Sequence, residues 1–266
     1  MRKGLLKIPP LFHISYSLFP IPYSPVLYFC VLMGQKKLIR FEAIKGFGNV
    51  LEYPENMQGN WKVFFKNENP VTLELACGKG EYAVGLGRMY PARNFIGIDI
   101  KGNRIWRGAK TALEEGLTNV AFIRSHMDKI TNYFAPAEVS EIWITFPDPQ
   151  LRISRAKKRL THPKFLRLYQ QILTADGLVH LKTDSPDLYH FTLQVIELYG
   201  LTLVEQSDNV YAQNTIQPEL RIKTHYEGLD IAGSNRIHYL CFKLNKVLPV
   251  TIDDILKQSL REPTID

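Results

Sequence analysis

From residue 71 onward the apolar positions fall into short runs of β-forming residues that alternate with amphipathic stretches of helical period. VTLELA (71–76), NFIGID (94–99), NVAFIR (119–124), EIWITF (141–146) and GLVHLKT (177–183) are rich in β-branched and aromatic residues and predict strands. GNRIWRGAKTALEEGL (102–117), PKFLRLYQQILT (163–174) and PDLYHFTLQVIELYG (186–200) repeat apolar residues at three and four, the spacing of one helix face. Strand and helix in alternation predict a doubly wound α/β fold, a mostly parallel sheet covered on both faces. Ligands of such folds sit at the carboxyl ends of the strands, near the switch point. No internal repeat or low-complexity tract interrupts the pattern.

The first 32 residues break with it. MRKGLLKIPPLFHISYSLFPIPYSPVLYFCVL is basic at its start and largely apolar, and a signal peptide competes for it. Pro9, Pro10, Pro20, Pro22 and Pro25 leave no helical run near the ~20 residues that a membrane span requires. Residues 1–32 are therefore expected to be a poorly ordered extension, with Met33 as an alternative start, and residues 33–266 to form a single domain. Three cysteines, Cys30, Cys77 and Cys241, lie far apart and suggest neither a disulfide framework nor a thiolate metal site, so a cytoplasmic location is expected. The seven histidines show no HExxH or paired spacing, and no metal, membrane or obligate protein partner is indicated. A net charge of +7 suits an anionic partner, but its distribution has to decide.

Chemistry concentrates at the predicted strand ends. Glu74 closes the first strand and is followed by Cys77, Gly78, Lys79, Gly80 and Glu81, a glycine turn that leads into a helix. Gly78, Gly80 and Ala83 fit GxGxxA, and Asp99 ends the second strand at the distance of a dinucleotide-binding acid. Charge separates the candidate ligands. A pyrophosphate at this turn would be opposed by Glu74 and Glu81, whereas S-adenosylmethionine carries a sulfonium and an ammonium that acids attract. Its ribose hydroxyls suit Asp99 as an acceptor. A plain tight turn with solvated acids remains the alternative. Cys77 reads more simply as a small buried residue than as a nucleophile.

WITFPDPQLRISRAKKRL (143–160) places Asp148 between Pro147 and Pro149 just past the fourth strand. The prolines fix φ on either side and aim the acid, so Glu74, Asp99 and Asp148 are expected to share one pocket. Arg152, Arg155, Lys157, Lys158, Arg159, Lys164 and Arg167 follow with no acid before Asp176. At the mouth of a pocket such a run suits a phosphate backbone, and an RNA substrate is expected; a solvated loop is the bland alternative.

ELACGKGE (74–81), GIDIK (97–101), FPDPQ (146–150), KKRLTHPKFL (157–166), LKTD (181–184) and THYE (224–227) occur in the order and spacing of the bacterial tRNA (guanine-N7)-methyltransferase family, which the chain resembles over residues 35–245. The resemblance implies a class I S-adenosylmethionine-dependent methyltransferase, Rossmann-like, with a seven-stranded sheet whose last strand, IHYLCFKL (237–244), runs antiparallel. It implies methyl transfer to N7 of a guanosine in the tRNA variable loop, giving 7-methylguanosine. Position by position, Glu74, Gly78, Gly80 and Asp99 match cofactor-binding residues, and Asp148 matches the acid credited with catalysis and cofactor contact. Arg152 stands where the family usually has a lysine for substrate, and Asp184, Thr224, His225, Tyr226 and Glu227 match the remaining substrate positions. The chain departs from the pattern at three places. Gln150, Leu151, Arg152 and Ile153 replace the usual tryptophan, proline and two lysines; His126, with Asp128 two residues on, replaces a cofactor-side acid; and Ala76 replaces a glycine. An NAD-dependent oxidoreductase and a noncatalytic RNA-binding protein are the competing functions; the acids at 74 and 81 oppose the first, and three convergent acids the second.

Overall fold

The computed structural model describes residues 35–229 and 231–260, so the expectations for residues 1–32 and for Met33 lie outside the described residues. The sheet belongs to the compact unit that begins at Lys37. Helix α1 runs through residues 35–43. It is followed by β1 (Val50–Glu52), α2 (Trp61–Phe65), β2 (Val71–Leu75), α3 (Glu81–Met89), β3 (Asn94–Asp99), α4 (Gly102–Glu114), β4 (Val120–Arg124) and β5 (Val139–Thr145). Then come α5 (Pro163–Ile172), β6 (Leu173–Thr183), α6 (Pro186–Leu198), β7 (Thr202–Ser207), β8 (His238–Lys243) and α7 (Asp253–Ser259).

The strands form one sheet in the order β1-β4-β3-β2-β5-β6-β8-β7, parallel except for β8, which runs antiparallel to both β6 and β7. The antiparallel last strand is where the resemblance placed it. Eight strands replace the expected seven, because Val50–Glu52 adds a short parallel edge beside β4. The chain leaves β2 toward β3 and β4, then returns to β5 on the other side, so the crevice between β2 and β5 is the switch point.

Alternation along the strands divides the core in two. Leu73, Leu75, Ile96, Ile98, Ile142, Ile144, Val179 and Leu181 face a layer that includes α2, α5, α6 and α7. Phe95, Phe122, Trp143, Tyr239 and Cys241 face α3, α4 and the segment bearing Val210 and Leu220. Strands buried on both faces explain the continuous apolar runs. The same period of two puts Glu74 and Lys182 on the α3 side of the sheet, with Leu73, Leu75 and Leu181 on the other. Pro163 and Pro186 each open a helix at a position where a missing N–H costs nothing, and Ser185 caps α6 by accepting from the Leu188 amide.

Candidate active site

Glu74 is the penultimate residue of β2, with its carboxylate turned under the first turn of α3. It is only 2% exposed; Oε2 accepts from the Ala83 amide at 2.8 Å and Oε1 from the Thr145 hydroxyl at 3.1 Å. The first bond caps α3, and the second ties β2 to the end of β5 across the switch point. Burial, with the charge of Glu81 nearby, raises the carboxyl from 4.5 to about 8. A cation arriving beside it would relieve that cost.

Asp99 ends the neighbouring strand. Its Oδ2 accepts from the Gly78 amide at 2.9 Å and Oδ1 from the Lys101 amide at 2.8 Å. Each oxygen keeps a second lone pair, so the acid can hold the turn and still receive ribose hydroxyls. The turn needs its glycines. Gly78 and Gly80 have φ of +54° and +71°, and a Cβ on Gly80 would lie 2.4 Å from the Phe122 ring. At Gly78 a Cβ would meet Tyr226 Cε2 at 3.6 Å, so Tyr226 sits over the turn. The Arg104 guanidinium lies 5.4 Å from the Tyr226 ring centroid, and the His225 amide donates to Glu81 Oε1 at 3.3 Å. The THYE segment and the glycine turn are therefore brought together. Cys77 is buried there, and desolvation pushes its thiol well above the ordinary value, as suits a packing residue.

Asp148 lies three residues past β5 and is exposed. Its Oδ1 accepts from the Gln150 amide at 3.0 Å. Phe146 and Gln150, on either side of the Pro-Asp-Pro triplet, have φ of +46° and +49°, so two left-handed residues as well as two prolines shape this loop. Arg159 holds it from behind. Its Nε donates to the Pro149 carbonyl at 3.1 Å and Nη2 to the Gln150 carbonyl at 3.3 Å, with the guanidinium 4.4 Å from the Phe191 ring centroid. The basic run is thus not uniform: Arg159 is buried in the loop's support and Arg167 pairs with Asp253, while Arg152, Arg155, Lys157, Lys158 and Lys164 are exposed.

Lys182, absent from the expected site residues, ties the segment from Leu220 to Glu227 to the sheet. It is fully buried at the end of β6, and its Nζ donates to the carbonyls of Leu220 and Ile222 at 2.8 and 3.0 Å and to Glu227 Oε2 at 2.9 Å. Tyr211 donates to the other oxygen of Glu227, and the Glu227 amide donates to Thr224 Oγ1 at 3.1 Å. Thr224 and Glu227 therefore shape their own segment, leaving exposed His225 and half-buried Tyr226 at its surface. Asp184 accepts from the Ala232 amide at 3.3 Å, and its carbonyl accepts from Ser234 at 2.9 Å, so the segment around Ser234 is tied to the end of β6. His126 is exposed just beyond β4, next to Ser125, whose amide donates to the Asp99 carbonyl at 3.1 Å; Asp128 is exposed as well. Among the described residues no group of three or more His, Cys, Asp or Glu could hold a metal ion, and no helix is long and apolar enough to cross a membrane.

A family model described as "Putative methyltransferase" matches residues 68–239. The tRNA (guanine-N(7)-)-methyltransferase of Bacteroides fragilis (strain YCH46) is 42% identical over 243 residues, covering 88% of this chain and 92% of that protein. The protein of the same name from Christiangramia forsetii is 48% identical over 223 residues, covering 80% of this chain and all of its own length. The chain belongs to the tRNA (guanine-N(7)-)-methyltransferase family.

Among solved structures, the 16S rRNA methyltransferase KamB matches with a TM-score of 0.54 at 13% identity, covering 74% of this chain and 96% of that one, which shows a shared fold. Within the tRNA (guanine-N(7)-)-methyltransferase family, the departures noted in the sequence take physical form here. Ala76 adopts φ +53°, so the missing glycine leaves a β-carbon in left-handed backbone at the strand end. Leu151 and Ile153 project as exposed apolar side chains beside Arg152. Lys182, Arg104 and Thr145 were missed from the sequence, and Arg159, expected among the phosphate-holding cations, instead supports the loop from within. The one available signal was Lys182, a lysine on the inward phase of an apolar strand.

Proposed function

We propose that the chain transfers the methyl group of S-adenosylmethionine to N7 of a guanosine in the variable loop of tRNA, and that Asp148 is the acid beside the reacting base. The observation that carries this is the placement of Glu74, Asp99 and Asp148 at the carboxyl ends of β2, β3 and β5, three neighbouring strands that flank the switch point. The glycine turn, Glu74 and Asp99 suit the donor, because a raised, buried carboxyl favours a cation and Asp99 has free acceptor capacity. His126 or Asp128 would meet the adenine side. An NAD-dependent oxidoreductase would set a pyrophosphate against Glu74 and Glu81, and a noncatalytic RNA-binding protein would have no use for the acids.

When bound, S-adenosylmethionine supplies an electrophilic methyl group. The protein's task is then alignment, since neutral guanine N7 carries a lone pair and needs no general base. Asp148 orients the purine and stabilises the positive charge that grows on it. Exposed Arg152, Arg155, Lys157 and Lys158 would hold the phosphate backbone, with Asp184, His225 and Tyr226 on the opposite wall and Thr224 and Glu227 holding that wall in shape. The reading assigns the activity to one domain, residues 33–266, acting in the cytoplasm on tRNA.

Asp148→Ala is expected to bind S-adenosylmethionine within about threefold of wild type while label transfer to tRNA falls by at least ~100-fold. Calorimetric titration and a labelled-methyl assay measure the two. Retained transfer would contradict the role of Asp148.

A further inference from the structure

We propose that Leu151 and Ile153 form an apolar wedge that enters the tRNA where the target guanosine leaves it, a deepening that rests on the functional reading above. Leu151 is 62% exposed and Ile153 50%. A single exposed hydrophobic needs no explanation. Here two stand within three residues, on either side of exposed Arg152, with Arg155, Lys157 and Lys158 exposed immediately after them. A surface that combines branched apolar side chains with exposed cations suits a partner that offers stacked bases and phosphates together.

The root of the segment is stiff. Arg159 grips the carbonyls of Pro149 and Gln150, Gln150 is left-handed, and its amide is bonded to Asp148. A wedge must be rigid, because a loose loop would lose on ordering what it gains on insertion. Leu151 lies three residues from Asp148 and Ile153 five, within about 11 and 18 Å of it along even a fully extended chain. The loop that presents the acid to the extruded base thus also carries what can fill the gap. Extrusion breaks stacking at a cost of a few kcal/mol, and apolar side chains inserted between bases are a general way to offset it. Arginine at 152 can hold a phosphate but leaves the vacated stack unfilled.

Leu151→Ser, Ile153→Ser and the double variant test this against two transcripts. One is a folded tRNA; in the other the bases that contact the target guanosine are substituted so that it starts unstacked. The double variant should lose roughly tenfold or more in kcat/KM on the folded tRNA and remain near wild type on the loosened one. Its dependence on salt should match wild type, since no cation is removed. 2-Aminopurine placed beside the target should brighten on binding the wild-type protein and stay dim with the double variant. Both side chains are exposed, so unchanged thermal melting verifies that folding is intact. Equal loss on both transcripts, or loss on neither, overturns the wedge. Wild-type protein that methylates neither transcript overturns the functional reading itself, and the wedge with it.

Discussion

Glu74 is a carboxyl that folding keeps in its protonated form well above the usual range, with a value near 8 against 4.5 when free. Over that interval the folded protein retains a proton that the unfolded chain has released. The contribution of Glu74 to stability is therefore greatest below 4.5, falls as pH rises, and is fully lost above about 8. Glu74→Gln keeps the shape and an acceptor for the Ala83 amide. In the ligand-free protein it should flatten the pH dependence of thermal melting and raise Tm by a few degrees, ~2–4 °C, at the alkaline end. In the same variant, affinity for the cationic donor should fall about tenfold, because the side chain can no longer give up a proton to meet that charge. A melting series that keeps its slope in the variant would assign the pH dependence elsewhere. Glu74, Asp99 and Asp148 were legible because strand ends can be read from sequence and an acid there is conspicuous. Arg159 was not: it stood in a run of cations whose exposure the sequence could not rank, and only packing on Phe191 separates it from its neighbours.

The strands that read clearly are those buried on both faces, whose apolar runs are continuous. β7 escaped because five of its six residues are at least partly exposed, and β1 because three residues at a sheet edge carry little pattern. β6 begins at Leu173 rather than 177, since a register shift beside Val139 lets the polar residues of 174–176 stay in the strand. At the end of β6, Lys182 joins the sheet to the segment from Leu220 to Glu227 through three hydrogen bonds. Burial draws its pKa below the ordinary value while Glu227 opposes the shift. Lys182→Ala would leave Glu227 buried without its cation, and a loss of about 3 kcal/mol is expected in chemical denaturation. Because the same segment carries Tyr226 over Gly78, KM for the donor should rise as well. A rise in KM without loss of stability would mean that Lys182 meets the ligand directly.

At the scale of the molecule, the sheet sorts its two tasks by position. Glu74 and Asp99 lie on β2 and β3, the loop bearing Asp148 follows β5, and exposed cations extend from that loop. The net charge of +7 says only that an anion is welcome; the exposure of Arg152, Arg155, Lys157 and Lys158 says where. Fold and donor were accessible because they depend on period and on charge at strand ends. Asp184 and the segment Thr224–Glu227 were accessible only by resemblance, since each is positioned by tertiary contacts that no local pattern announces. The atom that receives the methyl group defines the activity. Purified protein incubated with unmodified tRNA transcript and methyl-labelled S-adenosylmethionine, followed by nucleoside analysis, measures it. Label in 7-methylguanosine from the variable loop is the predicted result, and label in any other nucleoside, or in none, would contradict the account.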